Sequence, residues 1–304
     1  MRPAYLYALD ESITTVERMR ISGVSLVKDA VRLDFPVLES LRSILPLCDE
    51  LIVNVGPSDD GTRALVEGLA DPRLRIIEGE WSSGQGGRVL AVETQRAIAA
   101  ATGDWAIYIQ ADEVLHEDGI MPLRQALAAA DPDRNIEGLL VDFLHFYGNT
   151  DRIGRGRAWY RREVRLIRLG ADVRSHADAQ GFRVGPQRRR LRARRAAATW
   201  YHYGWARPLP VLQAKRVADH ALYYEGQERR NPLGARLPWD VGLVPFRGRH
   251  PAVMADWILA RRQAMADTFA PRPWDVRRLA LLASLGIEQL TGWRPFEYRN
   301  YVEV

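Results

Sequence analysis

The sequence predicts an α/β protein with a mixed, mostly parallel sheet flanked by helices and a mainly helical C-terminal extension. Up to Asp131, β-prone apolar runs alternate with segments of helical periodicity, the pattern of βαβ units with right-handed crossovers. One such run, Trp105-Ala106-Ile107-Tyr108-Ile109-Gln110, passes without polar interruption into Ala111-Asp112-Glu113. A strand of that kind is covered on both faces and delivers its polar end to the carboxyl edge of the sheet, where ligands of open α/β sheets sit. From Trp205 onward the apolar spacing becomes helical.

The elements follow in order. Met19 to Val27 reads as the first strand, Arg32 to Leu47 as a helix, and Asp49 to Val55 as the second strand. The turn Gly56-Pro57-Ser58-Asp59-Asp60-Gly61-Thr62 opens a helix through Ala70; Asp60 and Thr62 there suit helix capping. A third strand is expected over 73–80, a helix over 88–101 and the fourth strand over 105–110. Segments 137–147, 159–169 and 181–202 read as added strands, and 208–226, 250–268 and 275–291 as helices between Pro-rich connectors. The expected organisation is an N-terminal appendage over 1–18, a sheet domain over 19–204 and a helical extension over 205–304.

Composition narrows the class. With 304 residues, 47% hydrophobic and 27% charged, the chain can bury one large core and lies outside the disordered class. The single cysteine, Cys48, rules out a disulfide framework and a four-thiolate metal site and suits a reducing cytoplasm. No run of about eighteen apolar residues occurs, so a soluble protein is expected, cytoplasmic or at the inner face of the membrane. The net charge of +5 fits phosphate-bearing ligands. The run Arg188-Arg189-Arg190-Leu191-Arg192-Ala193-Arg194-Arg195 reads as a charged edge strand or loop, or as a contact for an anionic acceptor or membrane surface. It lacks interleaved aromatics, and no nucleic-acid partner is expected.

The strand-end acids resemble the variant Asp-x-Asp motif of family 2 glycosyltransferases, in a Gly103-Asp104-Trp105 setting that this family shares. Further likeness lies in Ser58-Asp59-Asp60-Gly61-Thr62 and Gly84-Gln85-Gly86-Gly87-Arg88. Gln110-Ala111-Asp112-Glu113-Val114-Leu115-His116-Glu117 and Tyr201-His202-Tyr203-Gly204-Trp205 resemble a bacterial subgroup, and the likeness runs from about Met19 to Val304. The resemblance implies a GT-A fold and sugar transfer from a nucleotide-sugar donor, UDP- or GDP-linked, to a carbohydrate or lipid-linked acceptor. It also implies a divalent cation, Mn²⁺ or Mg²⁺, and a place in surface polysaccharide or glycoconjugate synthesis, with peripheral membrane contact as a further expectation.

Carried onto this sequence, the resemblance makes Lys28, Asp29, Asn54, Ser58, Asp60, Arg88, Gln110, Ala111 and Asp112 candidate donor-binding residues. Val55-Gly56 stands where the family has two acidic residues, and Asn54 is the nearest polar substitute. Arg88 at a helix start would face the diphosphate. Asp112 and His202 are the candidate metal ligands, with Gln110 in place of the motif's first acid; an imidazole favours Mn²⁺. Glu113 either compensates for Gln110 or orders the loop.

For an inverting displacement, Asp178 is the candidate base that takes the acceptor's proton, and Glu163 the second. Each has a structural alternative: Glu163 among arginines suits a salt bridge, and His202 among aromatics suits a core histidine. His250, before Pro251, reads as a helix cap, and His116, His145 and His220 as structural. Two other classes stay open. A non-catalytic nucleotide-sugar-binding protein with a degraded site would fit Gln110 and the missing acidic pair. A nucleotidyltransferase would need a glycine-rich loop, which Val27-Lys28-Asp29-Ala30 lacks.

Overall fold

The computed structural model describes residues 19–82, 87–223, 236–239, 241–265, 269–270 and 273–304. The expected appendage over 1–18 and the glycines Gly84 and Gly86 lie outside the described residues. In chain order the N-terminal half holds β1 (Ile21–Val27), α1 (Val37–Ile44), β2 (Glu50–Val55), α2 (Thr62–Glu67), β3 (Leu74–Glu78), α3 (Val89–Ala100), β4 (Trp105–Tyr108), β5 (Glu113–Leu115) and α4 (Ile120–Ala130). Then come β6 (Gly138–Tyr147), β7 (Arg152–Gly154), β8 (Arg162–Arg168), β9 (Val173–His176), β10 (Gly181–Val184) and the long β11 (Arg189–Trp205). The last part holds α5 (Leu209–Tyr223), β12 (Leu237–Pro238), β13 (Leu243–Pro245), α6 (Ala255–Arg261), β14 (Phe269–Ala270), α7 (Val276–Thr291) and β15 (Tyr301–Glu303).

The main path of the large sheet runs β3-β2-β1-β4-β8-β6-β11-β10-β9. The first four strands are parallel. Beyond β4 the pairing turns mostly antiparallel, with β6–β11 and β11–β15 as parallel exceptions, so the mostly parallel order holds for the N-terminal half only. The reason lies in the connections. Helices join β1 through β4 and return the chain to the same end of the sheet, whereas β6, β7 and β8, like β9, β10 and β11, follow one another without a helix and reverse direction.

Helices cover both faces. Val37, Leu41 and Ile44 of α1 and Leu123 and Leu127 of α4 are buried on one side; Val89, Ala97 and Ile98 of α3 pack on the other. The expected 32–47 helix is shorter, because Leu33 to Phe35 form turns that precede Pro36, and only Val37 onward is helical. The arginine run is no edge. It opens β11, paired on both sides, and Arg189 and Arg192 meet Glu137, Arg194 meets Asp133 and Arg195 meets Asp142.

Candidate active site

β1 has β2 on one side and β4 on the other, so the chain order switches direction at β1–β4. A crevice opens beyond the carboxyl ends of strands at such a point. Here it is a cleft of about 670 Å³, whose walls include Lys28 and Asp29 after β1, Gln110, Ala111 and Asp112 after β4, His202 from β11, Lys215 and Asp219 from α5, and Asp178 and Gln180 before β10. Trp81, Tyr108, Tyr160 and Phe35 supply aromatic walls. Asp29 and Trp81, both lining the cleft, hold left-handed backbone at φ 52° and 49°, a strained conformation of the kind that collects at functional sites.

Asp112 is the buried anionic centre. Its Oδ2 accepts hydrogen bonds from Lys215 Nζ at 3.0 Å and Arg207 Nη2 at 3.3 Å. Its Oδ1 lies 3.7 Å from His202 Nε2. Burial alone would raise this carboxyl, but the Lys215 and Arg207 cations pull it well below the usual carboxylate range. It is a carboxylate at any physiological pH.

The histidine pair fixes which nitrogen faces it. His145 Nε2 lies 2.9 Å from the Tyr160 carbonyl, which only accepts, so His145 carries its proton there. Burial lowers the pKa of both His145 and His202, strongly at His145, while at His202 the Asp112 and Glu113 carboxylates work against it. A neutral His145 then has a lone pair on Nδ1, and His202 Nδ1, 2.9 Å away, must be the donor. In the neutral ring His202 Nε2 is then bare and faces the Asp112 carboxylate, and two lone-pair bearers 3.7 Å apart leave a place for a cation between them. Gly204 keeps that space open: a Cβ on it would stand 2.4 Å from His202 Nε2 and 3.1 Å from Asp112 Oδ2. An imidazole, a carboxylate and a gap that one methyl would fill suit a divalent ion such as Mn²⁺.

The other expected residues separate. Lys28, Asp29, Gln110, Ala111, Asp112, His202 and Asp178 all line the cleft. Gln110 donates to the Tyr108 hydroxyl at 3.0 Å. Ser58 sits beside Asp29 and accepts its backbone N–H, in a shallower hollow with Arg32 and Asp59. Asp60 accepts from Thr62 N and Oγ1 in the turn before α2, but the N-cap is Gly61 and carries no side-chain cap, contrary to the capping expected of Asp60 and Thr62. Asn54 lies outside the cleft, fully buried, with its amide donated to Glu93 of α3. Arg88 is the exposed residue just before α3 and also lies outside the cleft walls. Glu113 is the loop-ordering residue: it is buried and paired with Arg165 at 2.7 and 2.9 Å, too occupied to serve a metal.

Glu163 is buried behind Gln180. Its Oε1 accepts from Gln180 Nε2 at 2.8 Å and Asn300 Nδ2 at 3.1 Å, and burial pushes its pKa up to about 7. It forms no salt bridge in the described structure, contrary to the structural reading of its arginine-rich setting; Arg161 and Arg162 turn to Glu297 and Asp142 instead. His250 is no cap. Its ring packs among Phe146, Phe246 and Tyr203 and its Nδ1 meets the Tyr203 hydroxyl at 2.9 Å.

A second cluster, His116, Glu117 and Asp118, brings its ligand atoms within 4.8 Å of one another. His116 Nδ1 already accepts Asp118 N–H, and Arg249 pairs with both acids. It lies outside the cleft.

An open α/β sheet takes its ligand in the crevice at its strand switch, and here that crevice is lined by carboxylates. Residues 36–185, about half of the chain, match the sequence profile described as Glycosyl transferase family 2, which marks that span as a family 2 glycosyltransferase domain. No curated protein matches the chain. Among solved structures it is similar to S. aureus TarS 1-349 in complex with UDP-GlcNAc, at 21% identity over 43% of this chain and 36% of that one, TM-score 0.34. It is also similar to glucosyl-3-phosphoglycerate synthase from Mycobacterium tuberculosis with Mn²⁺, UDP and glucosyl-3-phosphoglycerate, at 21% over 43% and 46%, TM-score 0.30. The chain thus spans about a third to a half of the length of these two structures.

Lys215, Arg207, Trp81 and Tyr160 escaped the sequence reading. One signal was available: Lys28 and Lys215 are the only lysines in the chain.

Proposed function

We propose that the chain transfers a sugar from a UDP- or GDP-linked donor to an acceptor hydroxyl with inversion, using a divalent cation held by Asp112 and His202. The observation that carries this is the approach of His202 Nε2 to the Asp112 carboxylate at 3.7 Å inside the switch-point cleft. A bound cation would neutralise charge developing on the departing diphosphate. The chain's own residues do the rest. Trp81, whose indole lies over Gly56, offers a face on which the base can stack where the family usually has acids. Lys28 and Gln110 offer donors to the phosphates. Asp178, exposed on the opposite wall with one oxygen accepting Gln180 N–H, takes the acceptor hydroxyl's proton as that oxygen attacks the anomeric carbon.

The acceptor is a carbohydrate or lipid-linked sugar of surface polysaccharide or glycoconjugate assembly. Support for working at a membrane surface comes from α7. Val276, Leu279, Ala283, Ile287 and Leu290, spaced three and four apart, are all exposed, with Trp274 and Trp293 at the two ends. Such a stripe suits interfacial docking. No helix among the described residues is long and apolar enough to cross a membrane.

Isothermal titration of UDP- and GDP-sugars, with and without Mn²⁺, tests the proposal together with donor hydrolysis. Wild-type binding strengthened by Mn²⁺, and loss of that enhancement and of hydrolysis in Asp112→Asn, are expected. Binding without hydrolysis or transfer would favour the non-catalytic reading, to which Gln110 and the cations around Asp112 lend some weight. No binding of any nucleotide sugar would overturn both.

A further inference from the structure

Of the 43 basic residues in the chain, two are lysines and the rest arginines. Elsewhere the fold takes its cations as arginine: Arg165 on Glu113, Arg168 on Asp131, Arg261 on Asp34, Arg294 on Glu288. In the cleft the usage inverts. Both lysines line it, and among the described residues no arginine does. The two cations differ chemically: an ammonium concentrates its charge on one small atom with freely rotating donors, while a guanidinium spreads it over a plane. A surface drift toward arginine would not spare two positions in one cavity unless the ligand there requires the compact cation.

The charge balance around Asp112 points the same way. Arg207, fully buried and stacked on Phe35 at 4.2 Å, already pairs with Asp112 Oδ2. Lys215 adds a second cation on that oxygen, with 18% of its side chain still open toward the cleft and Gly204 O at 3.4 Å as its other partner. Asp219, one turn along α5, is the nearest further acid on this wall, and burial raises its pKa, which weakens it as a counter-charge. On this wall one carboxylate stands between two permanent cations, so Lys215 keeps charge to offer an anionic ligand, while the cleft's other acids, Asp29 and Asp178, lie on other segments.

We infer that Lys215, together with Lys28, binds the donor's diphosphate directly, so that part of the neutralisation assigned above to a divalent ion is built into the protein. This rests on the nucleotide-sugar reading and adds a ligand contact from α5 to it. The missing first acid of the strand-end motif, replaced by Gln110, is consistent with a site that draws on fixed cations as well as a metal.

With two lysines in the chain, reductive methylation with ¹³C-formaldehyde gives two dimethyl-lysine signals besides the α-amino group, and dimethylation keeps the charge. Lys215→Met assigns them. Titrating UDP, inorganic pyrophosphate and uridine in the presence of EDTA should move the Lys215 signal with the first two and not with uridine. Unlabelled Lys215→Met should bind UDP in EDTA at least about tenfold more weakly than wild type, the scale of a lost charge-assisted contact, and Lys215→Arg, which keeps the Asp112 pair and the fold, should not restore it. A Lys215 signal unmoved while UDP binds, or an Arg variant with wild-type affinity, overturns the inference and leaves the transferase reading standing. Failure of wild type to bind any nucleoside diphosphate, with or without Mn²⁺, overturns the transferase reading itself.

Discussion

Gly204 and His202 lie two residues apart on β11, and the first exists as glycine to make room for the second: a Cβ at 204 would fall 2.4 Å from His202 Nε2. It sits at a register shift of β11 but not in the left-handed region, so the requirement is space and not a positive φ.

Gly204→Ala should therefore leave the thermal unfolding midpoint within a few degrees of wild type and weaken Mn²⁺ binding by about tenfold or more, as losses around a metal ligand commonly do. Calorimetric titration of Mn²⁺ in the presence of UDP measures it. Unchanged affinity would mean that the gap between His202 and Asp112 is not the cation's seat.

Asp178 and Glu163 divide the base role in a measurable way. Asp178→Asn should bind donor normally and slow transfer by at least about a hundredfold, the scale of a lost general base. Glu163→Gln, behind Gln180, should change transfer far less. Single-turnover transfer on both variants, once an acceptor is in hand, decides between them; normal turnover in Asp178→Asn hands the role to Glu163.

Glu163 also predicts a pH dependence of stability. Its folded pKa of about 7 lies above the ordinary glutamate value of 4.5 because burial disfavours the anion. The protonated form is thus favoured in the folded state. The stabilisation is full below about pH 4.5 and is lost as pH rises through about 7. Between pH 5 and 8, wild type should lose on the order of 2–3 kcal/mol relative to Glu163→Gln, read by urea denaturation at each pH. Parallel pH curves for the two proteins would place the Glu163 titration elsewhere.

The exposed stripe of α7 gives a prediction on membrane contact. Leu279→Asp/Leu290→Asp should keep donor binding and reduce co-sedimentation with vesicles containing anionic lipid by about tenfold, since each change removes apolar area and adds repulsion. Equal sedimentation of variant and wild type would leave the stripe without that role.

Much of this architecture was legible because it is written in local periodicity. The alternation of strand and helix through Asp131, and the strand running into Asp112, follow from spacing alone, and so Lys28, Asp29 and Asp112 fall at strand ends in both readings. What crossed from sequence to structure poorly is what depends on long-range return. Lys215 meets Asp112 across more than a hundred residues. His145, read as structural, sets the proton of His202 from a neighbouring strand. Asn54 and Arg88 had plausible positions, but α3 packs over Asn54 through Glu93, and no local pattern reports which face a strand-end side chain takes. The arginine run meets acids some fifty residues earlier in the chain, on β6 and the turns before it.

The central position of β11 bears on how the protein can be made. β4 gains its second neighbour only when β8 is in place, and β8 leans on β6, which in turn is closed by β11 and, past it, by β15 at residues 301–303. A ribosome that has delivered the first 150 residues has produced four parallel strands whose Trp105-Ala106-Ile107-Tyr108 edge is still open, the kind of apolar edge that recruits other chains. Chains truncated between the nucleotide half and β11 should accordingly precipitate. The unit of inheritance, expression and engineering for this catalyst is the full span through β15.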